Sequence, residues 1–314
     1  MAAQTENKPS VGFVGIGMMG WPMAARLVGA GFPVTVYDTR AERTAEFARD
    51  VGGHAAATLS EAARDKDFVV TILPDSRIVS DALFGESGFA ASLTPGASVI
   101  EMTSGVPGTT IALSERLGSQ GVAMIDAPVS GGVSRARTGE LAIMVGGEDA
   151  AVSACLPVLA PMGSALRTGG IGSGQAMKAL NNLVSAGGFL IGVEALLIGK
   201  KFGLDPEMMV DVLNASTGMN NSSQKKYKQF VLSGAFNSGF SLDLMVKDLG
   251  IALEVARDGK ASAPFAALCR EMWASAATVL GPGKDHTALA QFSEKLAGEI
   301  LQKDAGSAGT GETR

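Results

Sequence analysis

The stretch VGFVGIGMMGWPMA, residues 11–24, decides the fold. Val11 to Val14 reads as a short strand, and Gly15, Gly17 and Gly20 follow it in the spacing G-x-G-x-x-G. A helical pattern opens at Met18 and runs to Ala30. A strand that turns through glycines straight into a helix is the start of a crossover unit. The same alternation continues outward. Val34 to Tyr37 reads as a strand, Arg40 to Asp50 as a helix, and Phe68 to Leu73 as a buried strand ending at Pro74. Ser98 to Glu101, Ala123 to Ile125 and Leu141 to Val145 are further strands, the last closed by Gly146 and Gly147. Strands separated by helical patterns predict a mostly parallel sheet.

The glycine spacing has a specific physical reading. The first glycine permits a tight turn, the second lets a ligand's pyrophosphate approach the backbone, and the third lets helix and strand pack closely. Met18 and Met19, at the start of the helix, are counted with these glycines as cofactor-binding, and the helix N-terminus offers N–H groups and a partial positive charge to phosphates. Asp38 ends the second strand, 18 residues after Gly20, where an acid accepts hydrogen bonds from adenosine ribose hydroxyls. An acid there repels a 2′-phosphate, which favours NAD. Arg40 leaves NADP open, because a nearby arginine can pair with that phosphate.

The second half does not alternate. One long helical pattern runs from Gln175 to about Phe202 and stops at Gly203, and a new helix begins at Asp205 and Pro206. Leu242 to Asp258, Pro264 to Val279 and Ala288 to Leu301 are also helical. The expected class is α/β: a Rossmann-type doubly wound parallel sheet over 1–170, then an all-α C-terminal domain over 171–303 joined by the long helix. The tail, 304–314, is expected to be disordered. Leu183 to Gly199 is apolar but carries Glu194 and three glycines, so a buried core helix is expected there rather than a membrane span.

Composition sets further bounds. Lys and Arg number 26 against 31 Asp and Glu, a net charge of −5, which leaves no basic excess for nucleic acid. Hydrophobic residues at 46 % support a large core. The polar first ten residues show no secretory signal, and Cys155 and Cys269 read as reduced, buried thiols of a cytoplasmic protein. His54 and His286 stand apart in the sequence, so no metal site is expected.

Four blocks carry a family resemblance: GFVGIGMMGWPMA (12–24), DAPVSGG (126–132), GSGQAMKALNN (172–182) and FSLDLMVKDL (240–249). In this order and spacing the chain resembles the beta-hydroxyacid dehydrogenase family, which includes 3-hydroxyisobutyrate dehydrogenase and tartronate semialdehyde reductase. Ser130, Gly131 and Gly132 put a hydroxyl and two unhindered N–H groups in sequence, an anion cradle suited to a substrate carboxylate. The resemblance implies the same role. Lys178 and Asn182 share a helix face at i, i+4. On the residues alone Lys178 reads as a solvated stem at a helix start; the resemblance makes it the catalytic lysine and Asn182 its amide partner. Neutral Lys178 would take the hydroxyl proton as hydride leaves the carbon for the nicotinamide. An ordinary lysine titrates near ~10.4, and burial or nearby cations would bring it into use. Lys247 reads either as a group reaching cofactor or substrate, which the resemblance supports, or as a partner in a salt bridge. Phe240 is expected to pack. Leu73, Pro74 and Thr103 stand at strand ends, where open parallel sheets bind ligands, and the resemblance sets Thr103 near the nicotinamide.

One departure stands out. Arg135 and Arg137 follow the glycine pair where the family shows small residues. They read either as recognising a second acidic group on the substrate or as a solvent-facing loop. The expected activity is hydride transfer between a nicotinamide cofactor and a small 3-hydroxy acid or its semialdehyde, with no particular substrate named. An imine reductase acting on C=N bonds and a non-catalytic dinucleotide-binding module are the alternatives; Lys178 counts against the first. The apolar length of the long helix predicts a homodimer or homotetramer.

Overall fold

The computed structural model describes residues 8–302. The chain divides into two compact units, Met1–Lys178 and Ala179–Arg314. The division lies inside the long helix, beyond the Gly170 boundary expected from the sequence. The tail from 304 lies outside the described residues.

In the first unit the chain runs β1 (Val11–Val14), α1 (Gly20–Gly29), β2 (Val34–Tyr37), α2 (Ala41–Asp50), β3 (His54–Ala55), α3 (Leu59–Ala63), β4 (Phe68–Thr71), α4 (Ser76–Phe84), β5 (Ser98–Glu101) and α5 (Pro107–Gly118). It continues through β6 (Ala123–Asp126), β7 (Val129–Ser130), α6 (Gly132–Thr138), β8 (Leu141–Gly146), α7 (Asp149–Leu159) and β9 (Gly163–Gly169) into α8 (Ser173–Phe202). Among the described residues these strands form one nine-stranded sheet in the order β3-β2-β1-β4-β5-β6-β8-β7, with β9 beside β8. The six strands β1 to β6 are paired in parallel, in register Val11 with Val34 and Phe68. The order reverses at β1, the switch point where such sheets bind ligands. The β6–β8 and β7–β8 pairs are antiparallel, so the far edge leaves the doubly wound pattern.

Both faces of the sheet are covered. Phe13, Val70, Ile100 and Ile125 point to one side, against Met23 and Leu27 of α1 and Cys155 and Leu159 of α7. Val14, Val69 and Val99 point to the other, against Ala62 of α3, Leu83 of α4 and Leu117 of α5. A strand buried on both faces reads as a continuous apolar run, which is why these strands were legible.

The second unit is helical: the rest of α8, α9 (Pro206–Asn214), α10 (Asn221–Lys225), a π-helical turn (Tyr227–Leu232), α11 (Leu242–Asp258), α12 (Pro264–Leu280) and α13 (Leu289–Ala297). Asp205 caps α9 through the Glu207 and Met208 N–H groups, with Pro206 at the first position, as the sequence predicts. By length and composition α8 is long enough and apolar enough to cross a membrane. Here Ala186, Phe189, Val193, Leu196 and Leu197 are buried in this unit's core, against Trp273 of α12 and Leu249 of α11.

The helix expected over Ala288–Leu301 ends at Ala297, before Gly298 in the left-handed region, and two further differences lie near the glycine motifs. The stretch carrying Arg135 and Arg137, expected as a loop, is helix α6. It is seven residues long and buries Ala136, so it is too short to display an apolar period. The helix after the glycine loop begins at Gly20 rather than Met18, because the chain must first complete the turn through Gly15.

Candidate active site

The glycine loop has the geometry its spacing predicts. Gly15 holds φ at +94°, and its N–H donates to the Tyr37 carbonyl at 2.8 Å. A Cβ at Gly20 would stand 1.9 Å from the Gly15 carbonyl oxygen, so only glycine permits this approach of helix to strand. A Cβ at Gly17 would meet nothing within 4 Å. The loop is therefore open at its second glycine and tight at its first and third. Met19 caps α1 with no side-chain hydrogen bond, Met18 is exposed, and the helix end stands ready for an anion. This cradle fits a dinucleotide pyrophosphate.

Asp38 lies beside the loop. Its Oδ2 accepts from the Ile16 N–H at 3.1 Å. Its Oδ1 accepts from the Arg40 N–H at 3.1 Å and from Arg40 Nε at 3.3 Å. Arg40 is thus engaged with the acid itself. Arg43, to which the sequence reading gave no role, donates to the carbonyls of Ile16 and Gly17 and lies over the Trp21 ring at 5.0 Å.

At the carboxyl ends of β4, β5 and β6 the polar groups form one buried network. The Thr103 hydroxyl accepts from the Leu73 N–H at 2.9 Å, and the Thr103 N–H donates to Glu101 Oε1 at 2.8 Å. Gln175 Nε2 donates to Glu101 Oε2 at 2.6 Å and to the Thr103 carbonyl at 2.7 Å, while its Oε1 accepts from the Gly105 N–H at 2.8 Å. Asp126 accepts from the Gly172 and Gln175 N–H groups, each at 2.8 Å. Burial pushes Glu101 up to about 7, against the donors of Thr103 that favour its charged form. Burial likewise raises Asp126. Glu101, Asp126 and Gln175 were not singled out from the sequence. The signal available was an acid ending an apolar strand, which burial obliges to find donors. Thr103 is 1 % exposed, and its hydroxyl ties β5 to the Leu73–Pro74 turn.

Ser130 ends β7 and Gly131 precedes α6; Gly131 and Gly132 hold φ of 134° and 69°. The Arg135 stem lies against Gly131, where a Cβ would come within 2.7 Å of its Cδ. Arg137 lines an open groove of ≈ 670 Å³ with Met18, Trp21, Arg26 and Arg43.

Lys178 and Asn182 are both buried, at 8 % and 6 % exposure, one turn apart on α8. In the second unit, Asn182 Nδ2 donates to Asp248 Oδ2 at 2.6 Å, and Lys247 Nζ stands 3.3 Å from Asp248 Oδ1. One carboxylate, 2 % exposed, thus accepts from the amide at one oxygen and stands at ion-pair distance from the ammonium at the other, an oxygen that makes no hydrogen bond among the described residues. Phe240 packs, edge-on to the His286 ring at 5.7 Å. Among the described residues no group of three or more His, Cys, Asp or Glu side chains is placed to hold a metal ion.

Comparison with known proteins covers the whole site. Residues 10–172 match the family model of the NAD binding domain of 6-phosphogluconate dehydrogenase. Residues 172–293 match that of the NAD-binding segment of NADP-dependent 3-hydroxyisobutyrate dehydrogenase. The chain is 32 % identical to 2-(hydroxymethyl)glutarate dehydrogenase of Eubacterium barkeri over 93 % of its length and 97 % of the relative's. It is 36 % identical to L-threonate dehydrogenase of Cupriavidus necator over 89 % and 94 %. The solved 3-hydroxyisobutyrate dehydrogenase of Mycobacterium tuberculosis superposes with a TM-score of 0.83 at 30 % identity, covering 91 % of this chain and 99 % of that one. An imine reductase from Myxococcus stipitatus shares the fold alone, with a TM-score of 0.62 at 19 % identity over 91 % and 99 % of the two chains. The matches span both units in order, and the chain belongs to the beta-hydroxyacid dehydrogenase family, NAD(P)-dependent oxidoreductases that act on a CH–OH group.

Proposed function

We propose that the enzyme interconverts a small 3-hydroxy acid and its semialdehyde, with Lys178 as the general acid/base. The observation that carries this reading is buried Asp248, hydrogen-bonded to Asn182 and ion-paired with Lys247, with a buried Lys178 one turn from Asn182 on the same helix. A buried acid that orders an amide and an ammonium pre-organises donors for a reacting oxygen. Bound nicotinamide supplies the hydride acceptor. The chain's own residues do the rest. Ser130 and the N–H groups of Gly131 and Gly132 bind the substrate carboxylate. Asn182 orients the carbinol oxygen, Lys178 takes its proton in oxidation and returns it in reduction, and Lys247 adds positive charge. Gly15 to Gly20 hold the pyrophosphate, Asp38 the adenosine ribose, and the Leu73–Pro74 turn with Thr103 borders the cofactor. NAD is the preferred cofactor, because a 2′-phosphate would meet the Asp38 carboxylate while Arg40 is already paired with it. The relatives' substrates differ among themselves, so the substrate is chosen by test.

The test is nicotinamide absorbance with NAD and NADP against 3-hydroxyisobutyrate, L-threonate and 2-(hydroxymethyl)glutarate. Lys178→Ala lowers kcat by about 10²–10⁴ on any active compound. Tight NAD binding with silence across the panel would remove this reading.

We also propose a cytoplasmic homodimer or homotetramer. Met177, Val184, Ile191 and Ile198 recur every seven residues along α8, all exposed, and the exposed Phe265 ring lies against Gly187 between them. Such a stripe suits a helix–helix seam. Both cysteines are buried and unpaired, as suits a reducing compartment. Light scattering reads the assembly, and a monomer at micromolar concentration would sink it.

A further inference from the structure

The second unit contains a half-buried cation that forms no direct ion pair among the described residues. Lys226 follows α10 and opens the π-helical turn. Its Nζ lies 3.2 Å from Ser185 Oγ and 5.8 Å from the centre of the Phe189 ring. Among the described residues no carboxylate oxygen comes within 4.0 Å of it. The acid whose field reaches it, Asp285, is fully used elsewhere. Asp285 accepts from Ser238 Oγ at 2.9 Å, the Gly239 N–H at 2.8 Å, the Phe240 N–H at 3.2 Å, the Thr287 N–H at 2.9 Å and the Thr287 hydroxyl at 2.5 Å. Burial therefore pushes Lys226 down to about 8, with Asp285 opposing only in part. A half-buried ammonium whose near contacts are a hydroxyl and an aromatic face is partly desolvated without a direct acid partner, and an anionic ligand would complete it.

Its position on α8 says which ligand. Ser185 is three residues beyond Asn182 and seven beyond Lys178, so all three share one helix face. At ~1.5 Å per residue, Ser185 lies about 4.5 Å along the axis from Asn182. That spacing matches three or four bonds of an extended substrate chain beyond the carbinol carbon.

We propose that Lys226 and Ser185 form an anion subsite for a second acidic group, so that the preferred substrate is a hydroxy acid carrying two carboxylates. This rests on the hydroxy acid reading of the site and names the substrate class. It also moves second-acid recognition from exposed Arg135 and Arg137 to a half-buried lysine of the helical unit.

Two experiments separate this proposal from the reading beneath it. The first compares kcat/KM for the hydroxymethyl diacid of the panel with that for 3-hydroxyisobutyrate, in the wild type and in Lys226→Met. The wild type prefers the diacid, and the substitution lowers the preference about 30-fold, the scale of one charge-assisted hydrogen bond. The loss falls in KM rather than kcat, and Lys226→Arg restores part of it. A wild type with no preference, or equal losses on both compounds in Lys226→Met, overturns the subsite while leaving the hydroxy acid activity standing. The second needs no turnover. Calorimetry of 2-methylglutarate, which lacks the hydroxyl, binding to the NAD-loaded protein gives a Kd that rises about 30-fold in Lys226→Met. Equal affinity in the two proteins rejects the subsite even if no hydroxy acid is oxidised.

Discussion

Two helices begin at the carboxyl edge of the same sheet, and their first turns are completed in opposite ways. Helix α1 has no side-chain cap, a glycine with open space at Gly17, and close packing on either side of it, at Gly15 and Gly20. The start of α8 is closed by Asp126, whose two oxygens accept from Gly172 and Gln175 in the interior. Both ends carry the same partial positive charge and the same orphan N–H groups. One is left for an anion from solution, and the other is satisfied by an anion built into the protein. The difference teaches where to look for a ligand: at the helix start that the fold has not finished.

The sharpest way to break this contrast is at the glycines. Gly17→Val puts a side chain into open space, so Kd for NAD should rise about 1000-fold or more while the melting temperature stays within a degree or two of wild type. Gly20→Ala drives a Cβ to 1.9 Å from the Gly15 carbonyl, so it should lose binding and melting temperature together. Calorimetry and thermal denaturation on both variants decide it, and equal loss of melting temperature in the two would show that the loop is uniformly tight.

At the closed end, Asp126→Ala should cost about 3–4 kcal/mol in urea unfolding, because two buried N–H groups lose a charged acceptor. Hydrogen exchange at Gly172 and Gln175 should speed up first. If only the second unit loosens, Asp126 does not hold the start of α8.

Next in size is a pH effect. The fold favours the neutral form of Glu101, whose pKa rises from 4.5 to about 7. Its contribution is therefore undiminished below about pH 4.5 and is lost as pH climbs to about 7, after which the loss is constant. The shift corresponds to roughly 3 kcal/mol. Glu101→Gln should be less stable than wild type at pH 5, since it presents an amide to Gln175 Nε2, but should show a flatter stability curve between pH 5 and 7.5. Parallel curves for the two proteins would place the titration on another group.

Much of this contrast was legible in the sequence. Strands β1, β4 and β5 announce themselves because burial on both faces demands unbroken apolar runs, and α9 because Asp205 and Pro206 are a cap and a first-turn proline. The open loop was readable because three glycines at fixed spacing have few other uses. The closed end was not. Asp126, Glu101 and Gln175 are ordinary residues until three-dimensional pairing brings them together from separations of up to 74 positions. Helix α6 was missed for a different reason: seven residues cannot show a period, so Arg135 and Arg137 read as loop. Lys226 was equally silent, since the sequence of a solvated lysine and a half-buried one is the same.

The smallest test sharpens the comparison with a helix end of the common kind. Helix α4 starts directly after Pro74 at the same edge of the sheet, and Asp75 Oδ1 accepts from the Ile78 N–H at 2.9 Å. This is a local cap, made by the residue next to the helix, where Asp126 reaches α8 from 46 positions away. A local cap on a part-buried helix end is worth about 1 kcal/mol, so Asp75→Ala should lower unfolding free energy by about that much, a fraction of the Asp126→Ala loss. The two losses should add in the double variant within about 0.5 kcal/mol, since the caps share no partner. A larger coupling would mean that the starts of α4 and α8 act as one element, through the Ser76 hydroxyl that accepts from the Val106 N–H and the Gln175 amide that holds Gly105 beside it.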